Sequence, residues 1–134
     1  MKRHVRAMAS AAVAAAFIFG LIPAASSHAI TSRLTIGVSD HSVSRHQKIF
    51  FYGDLKTPGH PSCHRFATVR LTRKATGLVA TTTTDYQGNY VFQIDPKPNH
   101  GHYHTRYSGR SSFGYAGRHS CSKAVSKWIK IHHT

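Results

Sequence analysis

Short runs of β-favouring residues, broken by turn clusters about every ten residues, constrain this chain more than any other feature, because that rhythm fits an all-β sandwich or barrel. Over residues 33–38 the apolar Leu34, Ile36 and Val38 alternate with other residues and share one face. Residues 48–52 are apolar on both faces, as in a central strand. Residues 66–73 alternate again, with Ala67, Val69 and Leu71 inward and Phe66, Thr68, Arg70 and Thr72 outward. A turn at Lys74-Ala75-Thr76-Gly77 leads into a threonine-rich strand over 78–84, where the β-branch suits a pleated surface. Asp85-Tyr86-Gln87-Gly88 has the chemistry of a hairpin turn, followed by a strand over 89–94 with Tyr90, Phe92 and Ile94 inward. After the Pro96-Lys97-Pro98-Asn99 break, strands over 102–107 and 123–131 complete a count of seven. Between these two lies an irregular Gly, Ser and Arg-rich segment, 108–122, with Phe113 and Tyr115 embedded, the natural place for recognition.

The first 29 residues have a different character. A basic start with Lys2, Arg3 and Arg6 precedes a nearly uncharged run from Ala7 to Ala25, and Ser27-His28-Ala29 offers small residues at both positions a signal peptidase reads. This predicts an N-terminal signal helix cleaved after Ala29, with one domain over 30–134. An uncleaved membrane anchor is the competing reading, since the run approaches spanning length. With the signal removed, no stable membrane span remains, and the protein is expected outside the cell or associated with its wall.

Residues 30–134 hold 15 Lys and Arg against four Asp, a net charge of +11 with neutral histidine, and no Glu. Such a surface attracts polyanions through counterion release, or serves only to keep an exported protein soluble and monomeric. Arg106, Arg110, Arg118, Lys123 and Lys127, in and around the irregular segment, are the candidate polyanion contacts. The expected partner is an anionic wall or extracellular polymer, with no specific nucleic acid implied. The chain's two cysteines, Cys63 and Cys121, predict one disulfide in an oxidising compartment, and without a CxxC neither a zinc ribbon nor a thioredoxin-like site is suggested.

The stretch Thr84-Asp85-Tyr86-Gln87-Gly88-Asn89-Tyr90-Val91-Phe92, with Gly101-His102-Tyr103 beyond it, resembles the T-D-x-x-G-x-Y-x-F…G-x-Y pattern of prealbumin-like and carboxypeptidase-regulatory-like Ig-type sandwiches, as in small secreted actinobacterial proteins. The resemblance implies a seven-stranded Ig-like or prealbumin-like sandwich in an accessory, adhesive or structural role. It carries over no functional residues. The basic, histidine-rich surface departs from the usual acidic or neutral one.

Ten histidines in this domain invite a metal reading. His100, His102 and His104 recur every second residue, so a strand projects them from one face, nearly 7 Å apart. Two could bracket Cu²⁺ or Zn²⁺ with His132 or His133, making a His-mediated metal-binding protein the alternative function; a solvated histidine stripe without a nearby carboxylate is the plainer one. Protonation of such a stripe near pH 6 would strengthen polyanion attachment. The sequence carries no GxSxG, HExxH or P-loop, and four dispersed Asp suit no paired-carboxylate glycosidase, so neither an enzyme nor a cofactor is expected. Trp128 is out of phase with the inward set Val125, Ile129 and Ile131, and either stands exposed for stacking or covers an open edge.

Overall fold

The computed structural model describes residues 28–95, 100–114 and 117–134, with the side chains of all but 28 and 112–119. The predicted signal segment lies outside them except for His28 and Ala29, as does the Pro96 to Asn99 break. In chain order the strands are β1 (His28–Ile30), β2 (Arg33–Leu34), β3 (Gly37–Val38), β4 (Ser42–Val43) and β5 (Ile49–Lys56). A helical turn, α1 (Pro61–His64), precedes β6 (Thr68–Arg73), β7 (Gly77–Thr83), β8 (Asn89–Ile94) and β9 (Gly101–Tyr107). The chain ends with β10 (Arg110–Gly114), β11 (Gly117–Cys121), β12 (Ala124–Val125) and β13 (Ile129–His133).

The seven predicted strands return as β2 with β3, β5, β6, β7, β8, β9, and β12 with β13. The count of seven is too low, because β1, β4, β10 and β11 are added. The segment expected to be irregular contributes two of these: β10 and β11 pair antiparallel from Arg110↔Cys121 to Gly114↔Gly117, with β1 parallel on the far side of β11. Its glycines and serines allow a narrow ribbon instead of breaking one.

Two larger sheets face each other. One runs β4-β13-β9-β6-β7 with β12 also on β9, and the other packs β2, β3 and β8 around β5. β2 and β3 lie along β5, then the chain crosses sheets so that β4 runs parallel to β13. In Ig lettering, β2/β3, β5 and β8 are A, B and E, and β6, β7, β9 and β12/β13 are C, C′, F and G. The architecture is an all-β, Ig-like sandwich.

Alternation places the core as the sequence suggests. Ile49, Phe51, Leu55, Val69, Leu71, Tyr103 and Ile131 are fully buried, and Phe51 of β5 meets Tyr103 of β9 across the sheets at 4.8 Å between ring centroids. Leu34, Ile36, Val38, Tyr90 and Phe92 are also inward. β5, however, is buried on one face only: Phe50 and Tyr52 are exposed, because no described element covers the outer face of this sheet. Val125, expected inward, is exposed too.

The Asp85 turn forms as its chemistry dictates, with the Asp85 carboxylate accepting from the Gln87 and Asn89 amides at 2.9 Å and Gly88 at φ +87°. Those bonds hold its pKa below the ordinary carboxylate value. It is not a hairpin turn. β7 pairs with β6 and β8 with β5, so the turn carries the chain from one sheet to the other. Tyr90 then ties the sheets: its hydroxyl donates to the Thr35 carbonyl and shares a 2.9 Å hydrogen bond with Thr105 Oγ1. Gly53 makes room for this, since a Cβ there would lie 2.1 Å from the Thr35 oxygen.

At one end of the sandwich, the predicted Cys63–Cys121 disulfide joins α1 to the end of β11, with Cα atoms 5.6 Å apart and a sequence separation of 58. In the chain-entropy account a loop of this size stabilises by about 4 kcal/mol. Polar side chains complete the end: Thr84 Oγ1 accepts from Ala67 N and donates to the His64 carbonyl, while the Tyr107 hydroxyl donates to the Cys63 carbonyl.

Candidate polyanion-binding face

On β9 and β6 the inward residues Tyr103, Thr105, Tyr107, Val69 and Leu71 leave His102, His104, Arg106, Arg70 and Thr72 on the outer face. Register then decides which of them meet. Arg70 stands directly opposite Arg106, and Thr72 opposite His104. Val125 lies on the other flank of Arg106, and Lys130 faces His102 across β13. Lys74 joins this row through its amide, which donates to the His102 carbonyl at 2.9 Å. None of the four aspartates lies on these strands.

Like charges directly opposite on paired strands oppose folding. One guanidinium is partly steadied, since Arg70 Nη1 donates to Ser108 Oγ at 2.9 Å. Arg70, Arg106 and Lys123, with Leu78 and Val125 as apolar walls, line a cavity of about 550 Å³. The arrangement suits an anion with an apolar spacer.

Beside this groove, a one-residue bulge sets Trp128. Arg106 pairs with Val125, but Tyr103 pairs with Ile129, so the β12–β13 stretch holds one residue more than β9. Ser126 stitches the break, with its amide donating to the Thr105 carbonyl and its Oγ accepting from the Thr105 amide. The extra residue brings Trp128 onto His104, rings stacked 3.7 Å apart between centroids and 16° from parallel. His104 is therefore only 8% exposed, and neither ring nitrogen has a hydrogen-bond partner. Burial first, and then the Arg106 charge, hold its pKa below the ordinary histidine value.

These positions revise the sequence reading residue by residue. Arg106 and Lys123 share the groove. Lys127 instead lines a separate cavity of about 610 Å³ with Arg33 and Thr35. Arg110 is not a free surface cation: its Nη2 donates to the Ser62 and Arg65 carbonyls, clamping the chain around α1. Arg118 is on β11, and its side chain is outside the described ones. Arg70, Lys74 and Lys130 belong to the face although the sequence did not single them out. Their outward phase was readable, but which strands adjoin was not. The histidine stripe is no open row, because Trp128 covers His104. His100 and His102 are exposed, and among the described residues no three His, Cys, Asp or Glu side chains come together as a metal cluster. No described helix is long and apolar enough to cross a membrane.

No family model matches the chain, and no curated protein is significantly similar to it. Among solved structures it is similar to two of the extracellular Ig-like domain of mouse leukocyte-associated immunoglobulin-like receptor 1, both strand-swapped dimers. Each is 18% identical with a TM-score of 0.48, covering 72% of this chain and 90% or 91% of the receptor chain.

Proposed function

We propose that this is a secreted, non-catalytic accessory module that associates with anionic cell-wall or extracellular polymers through the outer face of its six-stranded sheet. The observation that carries the reading is the Arg70–Arg106 pair, opposed across two strands with Lys123 beside it and no carboxylate on those strands. An anion in the groove would remove a repulsion that folding alone leaves in place. Exposed Leu78, Val125 and Trp128 give the uncharged part of a repeating polymer something to lie on. Export rests on the signal segment, with cleavage after Ala29; the disulfide fits an oxidising compartment. Ile30, which would begin the mature chain, is buried and accepts from the Ser122 amide at 3.0 Å, whereas Ala29 is exposed. The kinship to small prealbumin-like secreted domains belongs to the same reading.

Retention on a purified polyol-phosphate wall polymer, measured across a salt series, tests it. Affinity should fall steeply with salt. The slope of log affinity against log salt should shrink by about three when Arg70, Arg106 and Lys123 are all changed to Gln. Changing Lys48 and Lys56 to Gln should do less. Binding that ignores salt, or equals that to a neutral polysaccharide, would overturn the proposal.

A further inference from the structure

The other large sheet has an unguarded edge. β8 pairs with β5 over six residues in continuous register, from Ile49↔Ile94 to Asp54↔Asn89, and no described strand lies along its far side. Leu55 N donates to the Gly88 carbonyl, so by antiparallel alternation Asn89, Val91 and Gln93 turn their backbone groups away from β5. Asp85 engages both groups of Asn89, its amide donating to the Asn89 carbonyl at 2.8 Å and its Oδ1 accepting from the Asn89 amide at 2.9 Å. Among the described residues, nothing pairs with the N–H and C=O of Val91 and Gln93.

Edges of this kind are usually blunted by a bulge, a proline or a charge. The outer edge of the opposite sheet follows the rule, since the β6–β7 register shifts at Leu71/Thr72 and Leu78 and Val79 crowd into the space of one residue. β8 reads Asn-Tyr-Val-Phe-Gln-Ile, with none of these devices. Its outer face continues into an apolar row: Val91, 56% exposed, adjoins Tyr52, which adjoins Gly37.

We propose that β8 pairs antiparallel with β8 of a second copy of this chain, about a two-fold axis through Phe92. That register is self-complementary. It sets Val91 of each copy against Gln93 of the other, pairing the N–H and C=O groups that both leave open, and brings the two Tyr52–Val91 rows side by side across the axis, while Asn89 keeps its Asp85 contacts beyond the pairing. Charge selects a second copy as the occupant. Two chains this basic repel wherever cations meet, yet β8 carries none, and its β5 partners from Ile49 to Asp54 carry only Asp54. The paired sheets would turn both groove-bearing faces outward, so one dimer could hold a polymer at two points.

Sedimentation velocity on the mature domain across a concentration series tests this. The wild type should sediment as a reversible dimer. Val91→Lys places two ammonium groups diagonally across the axis and should weaken dimerisation at least about tenfold. Because Val91 is exposed, thermal unfolding and the circular dichroism spectrum should confirm that the variant folds. Mixing V91K with V91D should restore a heterodimer. A wild type that stays monomeric into the millimolar range, a V91K protein that still dimerises as the wild type does, or a mixture that fails to pair would each overturn the proposal.

Discussion

The two outer faces of the sandwich are built from the same alternation and come out chemically different. On the six-stranded sheet, outward positions carry Arg70, Arg106, Lys74 and Lys130, with Trp128 over His104. On the four-stranded sheet, outward positions along β5 and β8 carry Phe50, Tyr52, Val91 and Gln93, while Arg33 and Lys56 stand opposite each other at one end, where Asp54 forms a 3.5 Å ion pair with Lys56. A row of cations without acids suits a charged polymer, and an uncharged apolar stretch beside an open edge suits a like surface.

The faces are held in one body by Tyr90, so the comparison breaks most severely there. Its hydroxyl lies between Thr35 of the smaller sheet and Thr105 of the larger, and Tyr90→Phe keeps the ring while orphaning both oxygens. Loss of about 1–3 kcal/mol is expected in a denaturant titration, with binding to a wall polymer unchanged for the folded fraction. Burial raises the Tyr90 pKa to about 12. The unfolded chain therefore releases this proton near pH 10 while the folded chain keeps it, and stability should fall as pH rises from 10 toward 12. Tyr90→Phe should lose that part of the alkaline fall; an unaltered alkaline limb would show that Tyr90 does not carry it.

Much of this was legible in the sequence where the cause is local. Period-two alternation identified the inward residues of β6, β8 and β9, and a lone cysteine pair identified the disulfide. What failed was set at long range. Asp85 to Gly88 reads as a hairpin because turn chemistry concerns only neighbouring residues, whereas sheet membership is decided by what β7 and β8 each pack against. Arg70 and Arg106 are 36 residues apart and meet only through the β6–β9 register. Arg110 looks like a loop cation until α1 folds back and offers carbonyls. The histidine stripe was phased correctly, but a single extra residue near Trp128 covered its middle member.

A subtler effect concerns acid. His104 on the basic face and His64 at the end of α1 both have pKa values held below the ordinary 6.5, chiefly by burial, with Arg106 adding at His104, and Arg65 and Arg110 at His64. As pH falls below 6.5 the unfolded chain takes up these protons before the folded one, so stability should drop on acidification. Melting temperature measured from pH 7 downward should show this, and His104→Gln should flatten part of the slope. Polymer binding should gain nothing from His104 near pH 6, in contrast to an open histidine stripe. An affinity rise near pH 6 that disappears in His104→Gln would show that the Trp128 stack leaves this ring free to protonate.

The smallest expected effect separates the faces by sign. Arg106→Glu would set a carboxylate directly opposite Arg70, converting a repulsive cross-strand pair into an attractive one, and should stabilise the fold by up to about 1 kcal/mol. The same substitution removes a groove cation and adds an anion, so affinity for a polyol-phosphate polymer should fall as stability rises. Gln93→Glu on the other sheet is the matched control: its cross-strand neighbour is Phe50, and no stability gain is expected. Opposite movement of stability and binding is the signature of a site whose residues are arranged for a ligand at some expense to the fold. If Arg106→Glu destabilised the domain or left polymer affinity intact, the opposed arginines would be an incidental pair on a solvated sheet, and the contrast between the two faces would lose its functional meaning.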